Sequence, residues 1–157
     1  MIRDFKASDL PVIADIGNRA WRGIHAMARE RLGEELFRII KPDTENCKGR
    51  EIMDHASKHP EWILICEEAG RIVGFATFSI DGDMGEIGNN AVDPGCGLKG
   101  VGQQMYGAVM ERMRQQGVKA VKVSTGLDEA HAPARRAYER AGFIKCLEHV
   151  TYYRPLR

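Results

Sequence analysis

The chain has 157 residues, 43% apolar and 29% charged, with 23 basic against 22 acidic side chains for a formal net charge of +1. That length fits a single domain over residues 1–157 with a real core. The balanced charge gives no reason to expect a nucleic-acid or anionic-membrane partner. The longest purely apolar run, Trp62 to Cys66, is far short of a membrane span, and Met1-Ile-Arg-Asp-Phe-Lys6 is too polar for a signal peptide. Cys47, Cys66, Cys96 and Cys146 form no Cys-x-x-Cys pair. They read as reduced thiols of a cytoplasmic protein, not as a disulfide frame or a zinc site.

Ile2 and Arg3 open a first strand, and Ser8 or Asp9 caps a helix that accepts Pro11 in its first turn. Leu10, Ile13, Ile16, Gly17, Ala20 and Trp21 then repeat at helical spacing, and Gly23 interrupts. A second helix is expected from about Ala28, with Leu32, Leu36, Ile39 and Ile40 on one side. Lys41-Pro-Asp43 breaks it, and a weaker helix with Gly49 inside runs from Thr44 to Lys58. From Trp62 the period shortens. Trp62 to Glu67 and Ile72 to Ile80 read as strands, and Asp81-Gly82 is a hairpin signal that makes Met84 to Val92 antiparallel to the strand before it.

A helix from Val101 to about Gln116 carries Val101, Met105, Val109 and Met113 on one stripe, and Gly117 closes it. Val118 to Val123 is another strand, Ala130 to Ala141 a helix ended by Gly142. Phe143 to Val150 and Thr151 to Arg154 supply the last two strands. The fold class is α+β: one mixed, mostly antiparallel sheet of about seven strands with helices on both faces.

Between the hairpin and the long helix lies Val92-Asp-Pro-Gly-Cys-Gly-Leu-Lys-Gly-Val-Gly-Gln-Gln-Met105. A glycine-rich turn opening a helix gathers unpaired backbone N–H groups and the positive end of the helix dipole around one small volume, which suits a phosphate. Gly95-Cys-Gly97-Leu-Lys-Gly100 spells the dinucleotide fingerprint G-x-G-x-x-G. Its context argues against that reading. The preceding strand belongs to a hairpin, and the next strand ends Val121-Lys-Val-Ser124 with no carboxylate at its tip. A plain strand–turn–helix connection that needs glycines for φ > 0 is the bland alternative.

Two stretches together carry a resemblance. Gly97-Leu-Lys-Gly100-Val-Gly102 resembles the Gln/Arg-x-x-Gly-x-Gly/Ala loop of the GNAT superfamily of acetyl-CoA-dependent N-acyltransferases, with Gly97 in place of the Gln or Arg. His131-Ala-Pro-Ala-Arg-Arg-Ala-Tyr138-Glu-Arg-Ala-Gly-Phe143 is similar to that family's second signature, with Ala134, Tyr138, Gly142 and Phe143 in register. His131 stands at its usual Asn position and Ala137 at its large apolar one. Ala134 and Tyr138 are one helical turn apart, so the small residue leaves room where the tyrosine reaches a ligand. With the order of helices and hairpin strands before these motifs, the resemblance covers nearly the whole chain.

The resemblance implies transfer of an acetyl group from acetyl-CoA directly to an amine acceptor, a small molecule or a peptide, in a ternary complex. It places the coenzyme's pyrophosphate on the backbone of Gly97, Leu98, Lys99, Gly100, Val101, Gly102 and Gln103. It places the thioester and pantetheine against Asn90, Ala91 and Val92 of a splayed strand, with His131 at the edge. Lys99 is the candidate to replace the missing side chain at Gly97. Tyr138 is the general acid it implies and Glu86 the general base. The ordinary pKa values of a Glu and a lysine-like amine lie about six units apart, so Glu86 acts through water or through desolvation of the amine. Trp21, Arg22, His25 and Arg29 lie in the acceptor region, and many relatives pair as homodimers. A non-catalytic acyl-CoA-binding sensor on the same fold is the alternative, because function lives in the site and not the fold.

Overall fold

The computed structural model describes residues 1–156. Five strands, β1 (Ile2–Asp4), β2 (Ile63–Glu68), β3 (Arg71–Asp81), β4 (Met84–Val92) and β5 (Ala120–Val123), form one sheet in that order. The first three pairings are antiparallel, and β5 joins β4 in parallel after a helical crossover. Six α-helices cover the sheet: α1 (Leu10–Ala20), α2 (Arg22–Leu32), α3 (Glu34–Ile40), α4 (Cys47–Lys58), α5 (Val101–Gln115) and α6 (Ala132–Arg140).

Alternation along the strands splits the apolar side chains into two cores. Leu64, Ala76, Phe78 and Ile87 face α5 and α6, where they meet Met105, Tyr106, Val109, Met113 and Tyr138. Ile63, Ile65, Phe75 and Ala91 face α1 and α4, against Ile13, Ile16 and Ile52. The α1–α4 contact depends on two glycines. A Cβ on Gly17 would stand 2.5 Å from Ile52 Cδ1, and one on Gly49 would stand 2.8 Å from the Asn18 amide, so the backbones meet where side chains would keep them apart. Asn18 Oδ1 in turn accepts from the Gly49 N–H at 2.7 Å.

Both glycine stops have the geometry expected of them. Gly142 (φ +92) donates to the Glu139 carbonyl and Phe143 to Tyr138, and Gly117 (φ +84) and Val118 close α5 in the same way on Arg114 and Met113. Each is a Schellman motif with a glycine in the left-handed position.

Three expectations change. The helix interruption expected at Gly23 falls at Trp21, between α1 and α2, and a second break that was not expected comes at Gly33, whose φ of +76 separates α2 from α3. On α3 the fully buried residue is Phe37, while Ile39 is exposed. The sheet has five strands, not about seven, because Phe143–Val150 and Thr151–Arg154 form no strand. Strand propensity yields a strand only where a partner edge and a packing face are available. The outer edge of β5 is only four residues long, and Phe143 sits in the groove beside it with Met110, Val118 and Val121. Ile144, Leu147, Val150 and Tyr152 beyond it remain exposed.

Candidate active site

The site lies where β4 outlasts β5. Their pairing covers only Met84 to Ile87, opposite Ala120 to Val123, while β4 continues to Val92. From Gly88 to Val92 the strand therefore has β3 on one side and an open gap on the other. A β-bulge marks the same point. Ala76 pairs with Asn90 and Phe78 with Ile87, so Gly88 and Asn89 share the single residue Thr77 opposite them. Gly88 is required there, since a Cβ would meet Thr77 Oγ1 at 2.7 Å.

Consecutive strand residues take opposite faces, and the extra residue decides which asparagine takes which. Asn89 turns to α4, where its Oδ1 accepts from Lys48 Nζ at 3.0 Å. Asn90 turns to α5 and α6. Its Nδ2 donates to the Tyr138 hydroxyl at 3.1 Å and to the Gly88 carbonyl at 3.0 Å, and its Oδ1 accepts from the Tyr106 hydroxyl at 2.9 Å. Tyr138 thus reaches the unpaired segment of β4 from a helix 48 residues away. Its ring is buried against Tyr106 (centroids 5.2 Å) and Phe143 (6.1 Å, edge-on).

The glycine turn follows directly. Gly97 (φ +68) and Gly100 (φ +81) both hold left-handed backbone, and a side chain at either would meet open space, so the requirement is conformational. Gly100 is the N-cap of α5 and offers no side chain to the helix's first N–H groups, which face the turn uncapped. Leu98 and Lys99 are exposed on the turn, with Val101 buried at the helix start. The Gln103 side chain donates to the Ala137 carbonyl at 2.7 Å and so ties α5 to α6 one residue before Tyr138.

Two supports of the site carry no motif in the sequence. Asp93, at the entrance of the turn, is buried between Arg19 Nη1 and Arg71 Nη2, each at 2.6 Å, and accepts from the Gly95 N–H at 3.0 Å. Hydrogen bonds from Arg19, then from the Gly95 backbone, hold its carboxyl down at about 2. Asp128 caps the turn into α6, taking the His131 N–H at 3.1 Å and the His131 ring Nδ1 at 2.7 Å. Burial pushes the Asp128 carboxyl up, and the His131 ring and backbone outweigh it to leave the group below its usual value. His131 is therefore anchored as part of a cap at the start of α6.

Glu86 lies on the face of β4 opposite Gly85, whose Cβ position points at Met113 and Val118 of the α5 side. It thus faces the α1–α4 side of the sheet, about 40% exposed, with Oε2 3.0 Å from Lys122 Nζ on β5. On the same side, Lys48 is a buried cation that sequence reasoning passed over. Its ammonium stands 4.5 Å from the centre of the Trp21 ring and bonds to Glu51 as well as to Asn89. His25 is buried with Nε2 3.5 Å from Cys47 Sγ, and burial followed by the nearby Lys41 and Lys48 pushes its pKa down. Arg29 covers Phe37 and pairs with Glu34 at 3.3 Å, while Arg22 is exposed.

Comparison with known proteins gives a consistent family. Over 102 residues the chain is 31% identical to a mycothiol acetyltransferase of Thermobispora bispora, a match covering 60% of this chain and 34% of that protein. The chain spans about a third of the length of such curated relatives. Among solved structures, the ribosomal-protein-S18-alanine N-acetyltransferase of Escherichia coli superposes with a TM-score of 0.66 at 19% identity, over 94% of this chain and 79% of that one. A GNAT family acetyltransferase of Brucella melitensis, solved in complex with acetyl-CoA, gives 0.63 at 19% identity over 92% and 82%. Residues 24–143, which hold the bulged strand, the glycine turn and the tyrosine helix, match the acetyltransferase (GNAT) family, and the chain belongs to that family.

Proposed function

We propose that the protein is an acetyl-CoA-dependent N-acetyltransferase that moves the acetyl group directly to an amine acceptor in a ternary complex. The observation that carries this reading is the bond between Asn90 and Tyr138 at the open stretch of β4, next to an uncapped helix N-terminus. That arrangement sets a hydroxyl, a row of strand backbone groups and a phosphate cradle along one gap, which are the contacts that a thioester on a long phosphorylated arm requires.

In this reading the pyrophosphate lies on the N–H groups of Gly97 to Gln103, where the helix dipole favours negative charge. The pantetheine runs along Asn90, Ala91 and Val92 as an added strand edge. The acceptor enters from the α1–α4 side, past Trp21 and Lys48. The neutral amine attacks the thioester carbonyl, and backbone N–H groups of the open strand stabilise the oxyanion. As the C–S bond breaks, the Tyr138 hydroxyl donates a hydrogen bond to the departing sulfur. Glu86 takes the proton that the amine loses, through water.

A second reading, an acyl-CoA-binding sensor, draws on the Glu86–Lys122 pair, which occupies the proposed base. Two measurements separate them. Titration of thermal stability with acetyl-CoA and with NAD should raise the melting temperature for acetyl-CoA alone. Thiol release from acetyl-CoA across a panel of small amines and peptide N-termini should then reveal turnover that drops at least tenfold in Tyr138→Phe. Binding without turnover across the panel favours the sensor, and wild-type rates in Tyr138→Phe remove the acid role.

A further inference from the structure

Every polar atom of the Asn90 amide has a partner. Nδ2 uses one hydrogen on the Gly88 carbonyl and the other on the Tyr138 hydroxyl oxygen, and Oδ1 accepts from Tyr106. Turning the amide over would set Oδ1 against the Gly88 carbonyl, two acceptors facing each other. The Gly88 carbonyl in the bulge of β4, which can only accept, therefore fixes the orientation, and with it Oδ1 faces Tyr106 on α5, whose hydroxyl turns to donate.

The direction of these bonds has a chemical consequence. A hydroxyl whose oxygen already accepts from Asn90 does not spend its hydrogen on the same amide. Tyr106 is buried, and burial followed by the neighbouring Tyr138 pushes its phenol well above the ordinary value, so it stays a neutral O–H donor. Donations then run from Tyr106 to Asn90 and from Asn90 to Tyr138, each bond polarising the next, and the Tyr138 hydroxyl lies beside the Tyr106 oxygen, from which its hydrogen turns to a bound ligand.

We infer that Tyr106 and the Asn90 side chain are positioning residues that keep the oxygen of Tyr138 occupied and its hydrogen free for the sulfur of the coenzyme. The inference rests on the acetyltransferase reading, and it assigns work to two side chains outside the glycine and tyrosine signatures. No bond is made or broken at Tyr106 or Asn90. The Tyr138 hydroxyl donates a hydrogen bond to the thiolate released when the C–S bond breaks, and the proton that completes the coenzyme thiol comes from solvent.

Coenzyme A itself is the probe, so no acceptor need be known. The thiol of bound coenzyme A is titrated by thiolate absorbance in the wild type and in Y138F, Y106F, N90D and Y106F/Y138F, with coenzyme affinity and circular dichroism as controls for folding. In the wild type the bound thiol should ionise at lower pH than free coenzyme A, by about one unit, a roughly tenfold gain in thiolate. Y138F should abolish the shift. Y106F should lose at least half of it with coenzyme affinity within about threefold, and N90D should lose at least half of it too, the aspartate because it can only accept from Tyr138. The double variant should match Y138F, since residues acting as one unit are not additive.

A Y138F that abolishes the shift beside Y106F and N90D that retain it overturns the relay and leaves the Tyr138 reading intact. A bound thiol that titrates like the free one in the wild type, or is unchanged in Y138F, overturns that reading and the relay with it. Y106F deletes one oxygen atom and decides the matter alone where N90D folds poorly.

Discussion

Arg19 of α1 and Asp93 of the glycine turn are 74 residues apart in the chain and 2.6 Å apart in the fold. Arg71 meets the other carboxylate oxygen at the same distance, so a single buried carboxylate joins the first helix, the start of β3 and the entrance of the glycine turn. Asp93→Asn should destabilise the protein by about 3 kcal/mol, because it leaves two guanidinium groups facing a neutral amide. Coenzyme A binding should weaken with it, since Asp93 also takes the Gly95 N–H that opens the turn. Urea unfolding and calorimetric titration of the variant measure both effects.

The same carboxylate sets an acid limit. Its folded-state value of about 2 lies below the ordinary 3.8, so folding stability from this group is fully present above about pH 4. It is lost as the pH falls toward 2, and amounts to on the order of 2 kcal/mol. Urea midpoints between pH 5 and pH 2.5 should fall for the wild type more steeply than for Asp93→Asn. Parallel curves would show that other carboxylates govern the acid limb.

The left-handed glycines give a third expectation. An alanine at Gly100 has open space for its methyl group yet must adopt φ +81, a cost of roughly 1–2 kcal/mol. Because the strain sits at the N-cap of α5, relaxing it turns the first N–H groups away from the glycine turn. Gly100→Ala should weaken coenzyme A about tenfold, read by calorimetry, and Gly97→Ala should do so too. Gly49→Ala makes the contrast: there the methyl group meets Asn18 at 2.8 Å, so melting temperature should fall by several degrees while affinity holds.

How much of this was legible beforehand follows from how local each signal is. The stops at Gly117 and Gly142 and the hairpin near Asp81-Gly82 depend on backbone conformation within a few residues, and the sequence carries them whole. The register of Ala134 and Tyr138 is equally local, being one turn of one helix. The bulge at Gly88 and Asn89 is not, because it exists only relative to Thr77 on the neighbouring strand. Lys48 reads as a solvated residue in Cys-Lys-Gly-Arg-Glu, and only the arrival of Trp21, Glu51 and Asn89 makes it a buried cation. Asp93 was visible as the residue before Pro94, but its two arginines lie on α1 and β3. The expected C-terminal strands had suitable residues and lacked a partner edge long enough to order them.

Glu86 and Lys122 supply the remaining test, because stability and turnover separate there. The pair joins β4 to β5 at 3.0 Å, with both side chains at least 40% exposed, so solvent screening leaves it worth about 0–1 kcal/mol. Glu86→Gln keeps the shape of the side chain and removes its charge, and with it the capacity to accept a proton. Its urea midpoint should match the wild type closely, while turnover with a competent amine should fall by about 100-fold at neutral pH if Glu86 serves as general base. Raising the pH supplies more neutral amine, so the deficit of Glu86→Gln should narrow as the solution becomes alkaline. Lys122→Ala frees the carboxylate without moving it and should leave turnover at or above the wild-type rate. A Glu86→Gln enzyme that turns over normally at every pH would assign the proton to water alone and leave Glu86 as a link between two strands.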